Sequence, residues 1–304
     1  MVLISLEFFL ILFILLIIGV SLEFFIKNNR FKLFLWLLLA FFFFSIISIF
    51  NFNDGFIFIS AYLLEISLSL DNIMIFLLIF KEFEISNQEK ALIIGSYSAV
   101  LLRFLFVYVG ITILNSLEVG SLILSSLVIF SAVYLGKNEI NKIRNKKEKE
   151  KNTLLQSITK ILKINYSQNE DRLFIKKDRK TIPTKLLIAI IAIEIADIIF
   201  ATDSVPAIIL LTKSEILAYS STIFGTMTIR SIYFNINKSL SNIPHIEGFL
   251  SIGLGYLGVA SILSFLYKYT KGYYGFHIPI FVDALVTILI ITIGMLFSYL
   301  RSDK

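Results

Sequence analysis

The sequence contains no cysteine and only two histidines among its 304 residues. The absence of cysteine excludes disulfide bonds, thiolate metal sites and cysteine nucleophiles together. A zinc-protease motif of the type H-E-x-x-H is absent, and so is a phosphate-binding loop of the type G-x-x-x-x-G-K-[ST]. These absences argue against a membrane metalloenzyme and against ATP hydrolysis by the chain itself, and we expect a protein that is not an enzyme.

Charged residues are scarce and apolar residues abundant. Hydrophobic residues make up 57% of the chain and its mean hydropathy is +0.85, whereas a soluble domain is about 45–50% apolar. The excess lies in runs long enough to cross the ~30 Å hydrocarbon core, which takes about 20 helical residues. The first run has no basic segment before it and no small-residue cleavage site, so we interpret it as a retained span and not a signal peptide.

The hydrophobic runs predict an all-α polytopic membrane protein with about nine transmembrane helices. The predicted helices lie at about 3–26, 31–51, 56–80, 91–114, 119–137, 185–211, 216–236, 247–267 and 278–299. We divide the chain into two N-terminal helices (1–54), a first three-helix repeat (55–137), a basic loop (138–184), a second three-helix repeat (185–267) and a final span with its tail (268–304).

The distribution of lysine and arginine predicts the orientation in the membrane. With the basic loop in the cytoplasm, 23 of these residues lie inside and three outside, as the positive-inside rule requires. We therefore expect a bacterial cytoplasmic (inner) membrane protein with its N-terminus outside and its C-terminus in the cytoplasm. Because this rule explains the basic loop, we interpret the loop as solvated and expect no nucleic-acid partner.

Two acidic clusters with the same spacing lie inside predicted spans. Each has an acid, five intervening residues and then an aspartate followed by a small polar residue. The clusters comprise Glu65, Asp71 and Asn72 in the first case and Glu194, Asp197, Asp203 and Ser204 in the second. A charged side chain at the bilayer centre costs about 2.5–3.5 kcal/mol on insertion scales. Two matched clusters of such residues predict a functional site, and its simplest role is to bind a cation.

Helical spacing indicates which oxygen atoms of each cluster share a face. Residues seven apart lie on one face of a helix, which places Glu65 with Asn72 and Ser69 between them. Asp197 and Ser204 are related in the same way. All of these side chains offer hard oxygen ligands, which suit Mn²⁺, Ca²⁺ or Mg²⁺ and argue against Cu⁺ or a zinc thiolate site.

The two remaining aspartates predict a distortion of both acidic helices. Asp71 and Asp203 each point about 100° away from the residue that follows them on a regular helix. We therefore expect local unwinding, so that both members of each pair can face one ion. Pro206 favours this in the second helix, because it cannot donate a hydrogen bond to the carbonyl of Thr202. Freed carbonyls are tolerated where they line a cavity or bind a cation.

The acidic helices also begin an internal repeat. Each is followed by a span with one buried arginine, Arg103 or Arg230, and then by a third span. Segments 56–137 and 185–267 thus predict two copies of a three-helix unit, and an odd number of helices gives the copies opposite orientations. Inverted repeats with a site at their interface are a common transporter plan. We expect both arginines to pair with carboxylates, and a purely structural role for the acids remains the alternative.

The clusters resemble the two signatures of the TerC/Alx family of bacterial membrane proteins. The matching segments are A-Y-L-L-E-I-S-L-S-L-D-N at 61–72, I-E-I-A-D-I-I-F-A-T-D-S-V-P-A at 193–207 and H-I-P-I at 277–280, together with both arginines. The resemblance covers about 55–300. It implies export of manganese across the cytoplasmic membrane. Family members have also been connected with metal supply to exported enzymes and with membrane insertion of proteins in plastids.

The chain departs from the family pattern at three positions. Ile66, Thr222 and Thr228 stand where the family usually has Lys, Asn and Gly. The missing Lys removes a positive neighbour of Glu65, and the missing Asn removes one candidate oxygen ligand. His245 and His277 fall in loops or at a span end, and Asp283 lies about a turn and a half into the last span. We interpret all three as interfacial residues.

Two classes of function follow from these patterns. The first is a transporter that exports a divalent cation, Mn²⁺ or alternatively Ca²⁺, with proton exchange as the candidate coupling and no permanently bound cofactor. The second is a scaffold or insertion factor that acts through the basic loop, with unknown protein partners. Transport requires the intramembrane acids, whereas a loop-driven scaffold would survive their neutralisation.

Overall fold

The computed structural model describes residues 2–143, 167, 172–177, 180–235, 246–276 and 278–302. Within these ranges the chain forms long helices and one short hairpin. The helices are α1 (Val2–Phe25), α2 (Asn29–Phe50), α3 (Phe52–Glu82), α4 (Gln88–Ser116), α5 (Gly120–Ile143), α6 (Lys185–Thr212), α7 (Glu215–Asn235), α8 (Ile246–Tyr269) and α9 (Ile280–Ser302). The strands are β1 (Phe174–Lys177) and β2 (Lys180–Pro183), which pair antiparallel.

Polar side chains set several helix starts. Asn28 and Asn87 precede α2 and α4, and each accepts a hydrogen bond from a backbone N–H in the first turn. Thr184 does the same for α6 by accepting from the N–H of Leu187. These caps satisfy N–H groups that the helix itself leaves unpaired. Asn51 is extended and separates α2 from α3, so a helix ends where the sequence predicts a break between its second and third helices.

The acidic helices are regular, so the predicted local unwinding is wrong. The α-helix is continuous through positions 71 and 72 in α3 and through Pro206 in α6. A proline removes one hydrogen bond and crowds one carbonyl, and the flanking turns of α6 keep their helical conformation. The residues of both acidic clusters therefore belong to intact helices.

The segment between the two predicted repeats differs from the prediction at both ends. α5 continues to Ile143 instead of ending at 137, and the hairpin of β1 and β2 precedes α6 directly. Thr184 joins the hairpin to the helix, because its hydroxyl donates to the carbonyl of Arg172 at 2.7 Å while it caps α6. The predicted loop is thus partly structured, and the remainder of it lies outside the described residues.

Five of the described helices, α1, α2, α4, α5 and α8, are long and apolar enough to cross a membrane. Large apolar side chains on their outer faces, such as Phe25, Phe41 and Leu101, are exposed. Such faces suit contact with lipid, where apolar surface carries no penalty. The chain is an all-α, multi-pass integral membrane protein.

The interior is built around α3, α6 and α7. α3 packs on α6 and α7, α4 packs on the same two helices, and α5 packs mainly on α8. α7 is buried along nearly its whole length. At one end of the bundle Phe43 on α2 meets Phe58 on α3 and Phe224 on α7, with ring centroids 5.3 and 5.6 Å away. This packing fixes α3 and α7 side by side and sets the position of the acidic residues between them.

Candidate intramembrane acidic site

One arginine connects the two predicted acidic clusters. Arg103 on α4 donates from Nε to Oδ2 of Asp197 at 3.1 Å and from Nη2 to Oδ1 at 2.9 Å. Its third nitrogen, Nη1, forms an ion pair with Oε1 of Glu65 on α3. All three side chains are buried. The prediction that Arg103 pairs with a carboxylate is confirmed, and the arginine joins acids from both clusters.

Glu65 sits in a closely fitted position between α3 and α7. Ser69, one turn later on α3, donates to Oε1 of Glu65 at 3.1 Å. On the opposite side lies Gly225 of α7, where an added Cβ would be only 2.4 Å from Cγ of Glu65. The glycine therefore makes room for the buried carboxylate, and a larger residue would displace it. The second oxygen of Glu65, Oε2, is buried without a hydrogen-bond partner among the described residues.

Glu194 faces α4 one turn before Asp197. Its Oε1 accepts a hydrogen bond from the hydroxyl of Ser98 at 2.6 Å. Gly95 lies beside it, and a Cβ there would be 3.3 Å from Cγ2 of Ile193 and 3.6 Å from the same oxygen of Glu194. The other oxygen, Oε2, is buried and has no partner within the described part of the chain. Within the described residues, Ser98 is the side chain that binds Glu194, and no arginine forms an ion pair with it.

Arg230 is neutralised by an acid that the sequence did not single out. Its Nη2 forms an ion pair with Oε2 of Glu23 on α1. The same oxygen accepts from the indole N–H of Trp36 at 3.2 Å and from the hydroxyl of Tyr97 at 3.4 Å. The guanidinium carbon lies 5.1 Å from the centroid of the Tyr97 ring, within the range of a cation–π contact. The predicted carboxylate partner exists, but it comes from outside the repeats.

A signal for Glu23 was present in the sequence. It is an acid near the end of the first hydrophobic run, and Trp36 is the only tryptophan of the chain. An intramembrane acid is a functional hypothesis by default. Spacing could not identify its partner, since Glu23 and Arg230 are 207 positions apart.

A small cavity lies between the arginines. It has a volume of about 20 Å³ and is lined by Arg103, Arg230, Asp197, Ser69 and Thr226, among others. This is room for about one water molecule, because roughly 10–15 Å³ measured this way suffices for one. The cavity lies at the meeting point of α3, α4, α6 and α7, and both polar and apolar side chains line it.

Three predicted site residues are described by their backbones alone. The side chains of Asp71, Asn72 and Asp203 are outside the described part, although their backbones lie in α3 and α6. Ser204 is buried, and its hydroxyl lacks a partner within the described ranges. Thr202 is exposed and donates to the carbonyl of Ile199 at 2.6 Å.

The described side chains do not by themselves form a metal-binding cluster. Among the residues that the structure describes, no three His, Cys, Asp or Glu side chains are grouped so that they could hold a metal ion. Glu65 and Asp197 are held by Arg103, and Glu194 by Ser98. A site for a cation would therefore draw on Asp71 and Asp203 in addition.

Two of the three departures from the family pattern lie on α7, and the structure shows the surroundings of both. Thr228, where the family usually has Gly, shares a hydrogen bond of 2.8 Å with the hydroxyl of Tyr62 on α3. This bond satisfies both hydroxyls at the contact between α3 and α7. Thr222, where the family usually has Asn, is buried, and its hydroxyl has no partner in the described ranges.

Asp283 is buried within the protein, and its interpretation as a residue at the membrane interface stays a prediction. It packs in the first turn of α9 and accepts a hydrogen bond from the hydroxyl of Tyr256 at 3.0 Å. Burial lowers the pKa of Lys213, in the turn between α6 and α7, and the charge of Asp283 opposes that change. His245 and His277 lie outside the described residues.

Comparison with known proteins agrees with this architecture. Residues 50–304 match the model of the integral membrane protein TerC family. The chain is 29% identical over 243 residues to the thylakoid membrane protein TERC, chloroplastic, of Arabidopsis thaliana, which covers 79% of this chain and 60% of that protein. It is 28% identical to the uncharacterized membrane protein Rv2723 of Mycobacterium tuberculosis, over 68% of this chain and 53% of the relative.

A third relative is similar in length. The uncharacterized membrane protein of Buchnera aphidicola subsp. Schizaphis graminum is 29% identical over 82% of both chains. No solved structure matches. The family match spans both acidic helices and both arginine helices, and it begins after Glu23. The chain belongs to the TerC family of integral membrane proteins.

Proposed function

We propose that this protein exports a divalent metal cation, Mn²⁺ in the first instance, through the acidic site between α3, α4 and α6. The observation that supports this is a set of buried oxygen atoms that have no hydrogen-bond partner among the residues that the structure describes. Oε2 of Glu65, Oε2 of Glu194 and the hydroxyl of Ser204 all belong to residues predicted as ligands. A buried oxygen without a partner calls for an ion or a water molecule.

The charge of the site suits a divalent cation. Among the described side chains, Glu65, Glu194 and Asp197 carry three negative charges when ionised, and Arg103 carries one positive charge. This leaves two negative charges in excess before Asp71 and Asp203 are counted. Arg230 does not enter this sum, because Glu23 neutralises it. Carboxylate and hydroxyl oxygens favour Mn²⁺, Mg²⁺ and Ca²⁺ over softer metals. The choice of Mn²⁺ among these rests on family membership.

The packing is compatible with inverted repeats. In the proposed repeats α3 corresponds to α6 and α4 to α7. The contact of α3 with α7 then has its counterpart in the contact of α4 with α6, and both contacts are extensive in the fold. Glu65 on α3 lies against Gly225 of α7, and Glu194 on α6 lies against Gly95 of α4. These paired arrangements support a site at the interface of two related units, as in other transporters.

Export requires an energy source. Moving a cation out against an inside-negative potential costs about 2.3 kcal/mol for each charge per 100 mV. The sequence has no phosphate-binding loop, and carboxylates can exchange a metal for protons. We therefore propose that export is coupled to proton exchange. The proposal also includes nine spans, an external N-terminus and a location in the bacterial cytoplasmic membrane.

The decisive experiment neutralises the two aspartates whose spacing defines the clusters. Asp71→Asn and Asp203→Asn keep the size of the side chain and remove its charge. Cells that carry each variant would be exposed to excess Mn²⁺, and survival and retained metal would be measured. We expect the unmodified protein to protect and both variants to fail at normal expression. A matched control replaces Lys146, Lys147 and Lys149 of the basic segment with Gln and should still protect.

Two outcomes would reject the proposal in different ways. Full protection by Asp71→Asn and Asp203→Asn would mean that the acids are structural. Loss of function in the lysine variant alone would favour a scaffold that acts through the basic segment. Parallel exposure to Ca²⁺ would identify a calcium transporter, if cells with the protein retained less Ca²⁺ and unchanged Mn²⁺.

A further inference from the structure

Arg230 lies between two spaces in the protein. On one side is the small central cavity that it shares with Arg103 and Asp197. On the other side is a more open pocket of about 350 Å³, lined by residues that include Glu23, Tyr97 and Glu89. Arg230 does not line that pocket itself, but its partners Glu23 and Tyr97 do. One layer of side chains therefore separates the two spaces.

Glu23 binds Arg230 through one of its two carboxylate oxygens. A single oxygen, Oε2, receives Arg230, the indole of Trp36 and the hydroxyl of Tyr97. Glu23 is only 6% exposed, and Arg230 only 2%. A buried ion pair of this kind is stable only with good geometry and further hydrogen bonds, and α1, α2 and α4 together provide them.

Glu23 binds the guanidinium of Arg230 through one nitrogen, Nη2. Nη1 of Arg230 is buried and has no hydrogen-bond partner within the described ranges. Arg230 and Asp197 both line the cavity, and α7 already contacts Glu65 through Gly225. A guanidinium released from Glu23 would thus have the acids of the central site as its alternative partners across a space of one water molecule.

We infer that Glu23 is a positioning residue for cation binding, which holds the charge of Arg230 away from Glu65, Glu194 and Asp197. The inference rests on the proposed function. With Arg230 bound to Glu23, Arg103 is the positive charge that pairs with the described acids of the central site. With Arg230 paired to Asp197 instead, the site gains one more positive charge, and a divalent cation is bound less tightly. Glu23 precedes the region that matches the family model, residues 50–304, so the N-terminal helices contribute to the site.

The test measures metal affinity and transport separately. The full chain would be reconstituted in liposomes, and Mn²⁺ uptake would be followed as a function of Mn²⁺ concentration. Binding of Mn²⁺ to the purified protein would be measured by electron paramagnetic resonance. We expect Glu23→Gln to raise the half-saturating Mn²⁺ concentration and the dissociation constant at least about tenfold, equivalent to about 1.4 kcal/mol. The maximal rate per folded molecule should change less.

The control variant is Glu89→Gln. Glu89 lines the same open pocket, and its partner is Lys32 at 2.7 Å, but it is half exposed and does not contact Arg230. We expect its half-saturating concentration to match that of the unmodified protein. A second variant, Glu23→Asp, keeps the charge and retracts it by one methylene. It should raise the half-saturating Mn²⁺ concentration less than Glu23→Gln does. If the glutamine variant does not accumulate, the aspartate variant tests the inference in its place.

Removing the charge of Arg230 should remove the effect of Glu23. In an Arg230→Gln background, adding Glu23→Gln should leave the half-saturating concentration unchanged, because there is no guanidinium to hold. The inference would be overturned if both single Glu23 variants kept the half-saturating Mn²⁺ concentration of the unmodified protein. It would also be overturned if Glu23→Gln raised that concentration as much in the Arg230→Gln background as it does alone. An unmodified protein that neither binds nor transports Mn²⁺ would overturn the proposed function, and the inference with it.

Discussion

Arg103 and Asp197 form a two-pronged ion pair between α4 and α6, although they are 94 positions apart in the sequence. The same guanidinium also binds Glu65 on α3. One side chain therefore links three helices at the centre of the fold. Because the pair is buried, its integrity matters for the stability of the protein as well as for the charge of the proposed cation site.

Removal of Arg103 should destabilise the protein strongly. Arg103→Gln leaves Glu65 and Asp197 buried without a positive partner, and breaking a buried pair costs about 3–5 kcal/mol. Arg103→Lys keeps the charge but cannot form the two parallel bonds to Asp197, and we expect a smaller loss. Thermal unfolding in detergent and the yield of monodisperse protein would be compared. Equal unfolding temperatures for the unmodified protein and Arg103→Gln would contradict this expectation.

Gly225→Ala should impair the site by displacing Glu65. The new Cβ would lie 2.4 Å from Cγ of Glu65, and overpacking of this kind typically costs about 1–3 kcal/mol. We expect reduced Mn²⁺ tolerance at near-normal expression. The matched control is Gly253→Ala on α8, where a Cβ would lie 3.7 Å from a methyl group of Ile290, an ordinary contact. Similar activity of the two variants would show that Glu65 has room to move.

The orientation in the membrane is tested by reporter fusions. The excess of lysine and arginine predicts that residues 138–184 and the C-terminus lie in the cytoplasm. Fusions of alkaline phosphatase or of a fluorescent protein at Lys151 and Lys304 should therefore show fluorescence and no phosphatase activity. Phosphatase activity at either position would refute the proposed nine-span arrangement.

A shared site predicts that Asp71 and Asp203 approach each other. The chain has no native cysteine, so Asp71→Cys and Asp203→Cys would introduce the only two thiols. We expect a short bismaleimide to link them, and cleavage at a protease site inserted in the basic segment would then leave the two halves joined on a gel. Single-cysteine variants are the controls. If reagents that span about half of the ~30 Å hydrocarbon core also fail to link the two cysteines, the result would argue against a shared site.

Much of the site followed from local patterns. The repeated spacing identified the two acidic helices, and intramembrane arginines predicted carboxylate partners. Arg103 confirmed that expectation with Glu65 and Asp197. The prediction of unwound helices was wrong, because a proline breaks one hydrogen bond and the surrounding turns of α6 nevertheless remain helical. Spacing along one helix indicates which residues share a face, but it does not measure how far the backbone can adapt.

By itself the sequence determined the class of protein, the positions of its long helices and the chemistry of its buried groups. Those features depend on hydrophobic runs and on residue types within one segment. Only the tertiary structure decided which acid neutralises which arginine. Arg230 is bound by Glu23 from α1, 207 positions away, and Glu65 fits against Gly225 of another helix. Such pairings depend on how helices pack in three dimensions, and no spacing along a single chain segment encodes that.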